Sequence, residues 1–302
     1  MKKINILIYA ILGMFLGSAC NDEDRLSPTE GLEMTYTLPQ GNHDYDTRIV
    51  DWNKRCGFFI LYEFEPKDIY WGQTSWQEAI EKDGEWSWGF ISEPADQDYA
   101  GKQVELLEDY LFKYYPDSTL QRFMPLKFLL CSKLQYSQPL ASVPIVDIPL
   151  FSSIDMIAMN YGNKEIDNMN EHAASLLKDT LNVELLWHAM DVGKLQIDEA
   201  FTQLSAYGDY VSNSTMYSLG FINGNAQIAT PITDFKYYIQ AIVTTPFDVL
   251  NTETGAGDYT YRGILHPSKD VNNMINRKYN LVIDYFKTMY NVDLQKIGNA
   301  VM

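Results

Sequence analysis

The longest periodic stretch, from about Lys164 to Met190, constrains the fold most. Ile166, Met169, Ala173, Leu176, Leu177, Leu181, Val183, Leu186 and Ala189 recur at mostly three- and four-residue steps, the spacing of one helix face. Gly193 follows as a stop signal. Two more helices are expected over Thr233–Thr244, after Pro231, and over Asp270–Tyr290. Lys102–Tyr114 repeats the pattern at Val104, Leu107 and Leu111 and stops near Pro116; Ile197–Leu204 predicts a short helix.

Strand signals come earlier. Gly57–Phe64 is short, aromatic and β-branched, Lys127–Cys131 is an apolar run, and Ile154–Met159 is a third candidate. Residues 65–100 read as loop. Strands first and helices later is the order of an α+β chain.

The N-terminus is of a different kind. Met1-Lys2-Lys3 precedes an apolar run from Ile4 to Phe15. A basic start and about a dozen apolar residues are secretory-signal anatomy, and the run is shorter than the roughly 20 residues of a membrane span. Gly17-Ser18-Ala19-Cys20 resembles the lipobox of bacterial lipoproteins, which implies cleavage before Cys20 and lipid on its thiol. Asn21-Asp22-Glu23-Asp24 resembles the signal that sends Bacteroidetes lipoproteins to the outer face of the outer membrane. Residues 1–19 are thus expected to be a signal peptide and 20–45, with Pro28, Gly31, Pro39 and Gly41, a lipidated tether. Residues 46–302 remain for the domain.

A hydrophobic content of 46% with 14% aromatics suits a chain that buries a sizeable core. Loss of Lys2 and Lys3 takes the formal charge from −17 to about −19, which excludes polyanions such as nucleic acid as natural partners. Membrane contact would then come from the lipid. Beyond Cys20 only Cys56 and Cys131 remain, open to a disulfide or to two buried thiols.

Several segments together resemble Bacteroidetes lipoproteins described as zinc-binding metallopeptidases. They are Tyr114-Tyr115-Pro116 leading into Leu126-Lys127-Phe128-Leu129-Leu130, the helix at 165–190, Gly220-Phe221-Ile222 leading through Pro231 to Asp234-Phe235, and Lys278-Tyr279-Asn280-Leu281-Val282 through Tyr290-Asn291-Val292-Asp293-Leu294. The resemblance implies a zincin-like α+β fold: an N-terminal mixed sheet with helices, then a mostly helical C-terminal half. It also implies a helix carrying His-Glu-x-x-His, whose two histidines share a zinc while the Glu serves as general base.

This chain lacks that motif. In the matching register Val183-Glu184-Leu185-Leu186-Trp187 stands there, so Val183 and Trp187 replace the histidines and only Glu184 survives. A later Glu-Asp-Phe-x-Glu pattern becomes Thr233-Asp234-Phe235-Lys236-Tyr237. Glu184, His188 and Asp234 are the remaining metal candidates, and no cofactor is expected unless the family's zinc is held by them in altered form. Glu184 is a vestigial catalytic candidate.

Other chemistry is no better supported. There is no Gly-x-Ser-x-Gly nucleophile turn, and Gly255-Ala256-Gly257-Asp258 lacks the context of a dinucleotide loop. Trp71, Trp76, Trp86 and Trp88 form a cluster that could stack on sugars; tryptophan's usual burial favours instead their pinning a loop onto the sheet. The expected function is a cell-surface, lipid-anchored relative of the metallopeptidases, without catalysis, acting as a binding or accessory component. The resemblance adds an association with glycan-uptake systems. An active peptidase with an atypical site and a glycan-binding module are the alternatives, and the partner is a protein, peptide or glycan.

Overall fold

The computed structural model describes residues 36–70, 78–138, 144–224, 227–255 and 257–300. The signal segment, Cys20, Trp71 and Trp76 lie outside the described residues. Two units are distinguished, Met1–Thr37 and Leu38–Met302, and every element named here belongs to the second. Residues 38–45, read from composition as the end of a tether, are therefore part of the folded unit. Tyr45 is buried with its hydroxyl donating to the Gln97 carbonyl at 3.1 Å, and the Gln40 side chain accepts from Tyr62 N at 2.8 Å.

Helix α1 (Asp46–Cys56) ends at Gly57, whose φ of 83° turns its N–H back onto the Asn53 carbonyl at 2.8 Å. Strand β1 (Phe59–Leu61) is wholly buried. After α2 (Pro66–Tyr70), a small hairpin of β2 (Glu81–Lys82) and β3 (Glu85–Trp86) leads into β4 (Gly89–Pro94). Helix α3 (Gln97–Tyr110) is capped by the Asp96 side chain, which accepts from Asp98 N at 3.0 Å, and it buries Ala100, Val104 and Leu107. A 3-10 turn (Phe112–Tyr114) and α4 (Asp117–Phe123) return the chain to β5 (Lys127–Ser137). Then β6 (Ile145–Asp147), β7 (Leu150–Ser152) and β8 (Met156–Met159) complete the sheet.

The spine of the six-stranded sheet is β5, which changes character along its length. Residues 127–130 lie between β1 and β8 and run parallel to both. Phe128, Leu129 and Leu130 are fully buried there, as a continuous apolar run covered on both faces requires. Residues 131–137 pair antiparallel with β4 and β6 and are partly open to solvent. The parallel pairing of β1 with β5 needs a long crossover, which α3 and α4 provide.

The second half is mostly helical: α5 (Glu171–Asp191), α6 (Glu199–Thr202), a two-stranded pair of β9 (Tyr210–Val211) with β10 (Gln227–Ile228), α7 (Pro231–Thr244), α8 (Phe247–Leu250), α9 (Met274–Tyr290) and α10 (Leu294–Gly298). The periodic stretch 164–190 is divided. Lys164–Asn168 is a 3-10 turn, and Asn170 starts α5 by accepting from Ala173 N at 2.9 Å. Asparagine bonds its own neighbouring backbone, which favours a cap over a continuous helix.

Asp270 stands outside α9 for a related reason. Its carboxylate accepts from Ile275 N and Asn276 N at 3.0 and 2.8 Å, satisfying amides that open the helix. Helix α7 starts earlier than Thr233, with Pro231 in its first turn and Thr230 and Thr233 forming a reciprocal cap.

The chain is therefore α+β, with a mixed sheet and helices first and a mostly helical second half. One continuous core joins them, centred on α7, where Phe235, Tyr238, Ile239, Ala241, Ile242 and Val243 are all buried. Helices α5, α9 and α10 pack against it. Among the described residues no helix is long and apolar enough to cross a membrane. Cys56 and Cys131 are both buried free thiols. Burial pushes the Cys56 thiol up to about 11, and Cys131 higher still.

Candidate functional site

The C-terminal half of α5 lies against the N-terminal half of α7. Trp187 fills the contact: its indole N–H donates to the Lys236 carbonyl at 3.1 Å, and its ring meets Tyr237 edge-on with centroids 6.3 Å apart. The Lys236 ammonium lies 5.3 Å over the indole and bonds Asp191 at 2.6 Å. One turn earlier, Val183 packs half-buried against the core. In the register expected from the sequence, Val183 and Trp187 stand at the i and i+4 positions expected to carry two histidines, and Tyr237 at that of an outer acid. A methyl-bearing side chain, an indole and a phenol bring no carboxylate or imidazole to a dication. The side chains present do not fit zinc.

Asp234, one residue into the altered segment, is committed elsewhere. It is 4% exposed, and its Oδ2 accepts from Lys278 Nζ at 2.5 Å and from the Tyr207 hydroxyl at 2.8 Å. Lys278 is fully buried on α9. Its ammonium donates also to the Gly220 carbonyl at 3.0 Å and lies 4.6–5.6 Å from the rings of Phe221, Phe201, Tyr207 and Tyr238. Such rings attract a cation through their faces. Gly220 adopts φ 75°, and a Cβ there would come within 3.0 Å of Met274, so glycine alone lets this carbonyl approach. Burial pushes the Asp234 carboxyl up and the Lys278 ammonium down, and each is opposed by its partner's charge.

His188 is also spoken for. It is 4% exposed and its Nε2 lies 2.7 Å from the Ser153 carbonyl, which accepts its proton and sets the tautomer. Its Nδ1 is buried with no partner among the described residues. Desolvation lowers the pKa of this imidazole, against the pull of the Ser153 carbonyl. Glu184 is partly exposed on α5. Among the described residues no three His, Cys, Asp or Glu side chains gather as a metal site would need, so Glu184, His188 and Asp234 are not brought together.

Of the tryptophans within the described residues, Trp86 is half-buried in the β2–β3 hairpin. Trp88 is 43% exposed and tilts against Tyr136 of β5 at 6.3 Å.

Lys278 was missed from the sequence, although a signal existed. It falls on the same face of α9 as Ile275, Val282 and Phe286, where a lysine has to find a buried counter-charge.

No protein-family model matches the chain, and no curated protein matches it. Among solved structures, it is similar to one described as a "putative zinc-binding metallo-peptidase" from Bacteroides caccae, with a TM-score of 0.50 and 12% identity over 85% of this chain and 91% of that one. At that identity the likeness establishes a shared fold and leaves the chemistry to the residues.

Proposed function

We propose that this chain is a lipid-anchored cell-surface protein on a metallopeptidase-like scaffold that has lost its zinc site, and that it acts by binding rather than by catalysis. The observation that carries the reading is the packing of Trp187 on Tyr237. Two positions that would face a metal from separate helices are occupied by aromatic rings in mutual contact. Replacement at only one of them would leave an incomplete site; replacement at both, with the rings packed together, supports a remodelled interior. Asp234 contributes by taking Lys278 as its cation.

Anchoring rests on residues 1–24. Their basic start, apolar run and Ala19-Cys20 junction support export to the outer membrane and lipid on Cys20, and the acidic Asn21–Asp24 stretch supports an outward-facing domain. A cell-surface position suits a ligand supplied by the medium, whether peptide, protein or glycan. The proposal is tested by assaying the zinc-supplemented protein against a diverse peptide pool. No cleavage is expected. Cleavage abolished in Glu184→Gln would restore Glu184 as a general base and overturn the reading.

A further inference from the structure

We propose that the cleft between α9, α10 and the 112–114 turn is a binding site for a small organic anion with a ring-sized body. The proposal is independent of whether the zincin site is lost. The cleft holds about 640 Å³, well beyond a bare ion and within the range of small-molecule sites. Its wall on α9 is the single stripe Tyr279, Ile283 and Lys287, four residues apart. Lys296 of α10 and Asn299, which caps it, face that wall, and Lys113 and Tyr114 close the third side.

Charge selects the ligand. The chain as a whole carries 40 acidic against 23 basic residues, yet the cleft is lined by three lysines and one carboxylate. That carboxylate, Asp293, is matched by Lys287 at 3.4 Å. Lys113 and Lys296 have no carboxylate within ion-pair distance among the described residues. Two cations therefore remain uncompensated in a concave site, where a local positive field concentrates an anion despite the negative surface around it.

A donor is waiting as well. The Tyr114 hydroxyl is buried and has no hydrogen-bond partner among the described residues, a costly state for a polar group. Desolvation, with the neighbouring Asp109 and Asp179 carboxylates, keeps that phenol protonated and so a donor. Of those two acids, Asp179 is paired with Lys178 at 2.9 Å. Tyr279, by contrast, spends its hydroxyl on Gln295 at 2.9 Å and offers, with Ile283, an apolar wall. Two ammoniums without a carboxylate partner, one of them 5.2 Å over the Tyr114 ring, a phenol without a hydrogen-bond partner among the described residues and an apolar wall match a carboxylate or phosphate carried on a ring.

Calorimetric titration of the purified protein at low ionic strength tests this with three probes: glucuronate, glucose and inorganic phosphate. Glucuronate is expected to bind saturably, to weaken with added salt, and to lose about tenfold or more in affinity in the K113Q/K296Q double variant. Both lysines are exposed, so this variant keeps the fold; Tyr114→Phe, which removes one oxygen, is expected to weaken binding with unchanged thermal unfolding. Glucose is expected not to bind. Absence of glucuronate binding, or binding indifferent to both sets of variants, overturns the site. Phosphate bound as tightly as glucuronate overturns the ring-body requirement.

Discussion

Asp234 and Lys278 form an ion pair at 2.5 Å between side chains that are 2% and 0% exposed. The lysine bridges α9, α7 and the Gly220 loop, so the cation at the heart of this half of the molecule belongs to the chain itself. Each member is sustained by its partner against the desolvation that acts on both.

Removing one partner should therefore be severe. Lys278→Met is expected to lower the free energy of unfolding by about 3–5 kcal/mol, because Asp234 is left as an uncompensated buried charge. In the Asp234→Asn/Lys278→Met double variant a substantial part of that loss should return. Denaturant unfolding of the four proteins of the cycle checks it; strictly additive losses would mean that the two side chains do not depend on each other.

His188 predicts a pH dependence of stability. Burial lowers its folded-state pKa below the unfolded value of about 6.5. The neutral ring's contribution is thus complete above about pH 6.5 and is lost as the pH falls toward the folded pKa, where the unfolded chain binds the extra proton. His188→Gln, which keeps an N–H donor for the Ser153 carbonyl, should flatten the stability profile below about pH 6.5. An unchanged slope in the variant would assign the acid sensitivity to other groups.

The Trp187–Tyr237 contact should contribute to stability and not to metal retention. Trp187→Ala is expected to cost about 2 kcal/mol, less than a wholly buried tryptophan because the indole is partly exposed. Its zinc content should equal that of the wild type. A rise in bound zinc on this substitution would show that the indole fills a metal site that its removal reopens.

The two cysteines should behave as buried thiols. A thiol reagent is expected to leave Cys56 and Cys131 unmodified in the native protein and to modify both after unfolding without reductant. Failure of the unfolded chain to react until reductant is added would show a disulfide.

Much of the architecture was legible because the relevant elements are strongly periodic or strongly apolar. Helices α5, α7 and α9 bury one stripe each, and the start of β5 is a run of apolar residues; burial writes itself into such segments. Helix α1 escaped although Ile49, Trp52 and Cys56 recur at three- and four-residue steps, because the segment is short and crowded with charged residues. Helix α4 follows directly on Pro116, which marked the end of one helix and equally opens the next. The second half of β5, Ser132–Ser137, is half-exposed and mostly polar, so its pairing with β4 and β6 left little trace in composition.

At the candidate site the resemblance singled out Val183, Trp187, Thr233 and Tyr237 as positions that depart from a zinc-binding pattern. It did not show what the replacements touch. That Trp187 reaches Tyr237, that Asp234 is held by Lys278, and that His188 bonds a carbonyl from the β7–β8 turn all depend on residues 35 to 50 positions apart along the chain. Contacts at that separation have no local signature, whereas a lysine on an apolar helix face does, and Lys278 is the residue that such a reading identifies.

The central claim is that the scaffold has no zinc site, and metal content tests it most directly. The purified protein is incubated with zinc, freed of excess, and its bound metal measured by mass spectrometry. Zinc far below one ion per chain is the predicted result; near-stoichiometric zinc that disappears in His188→Ala would contradict it.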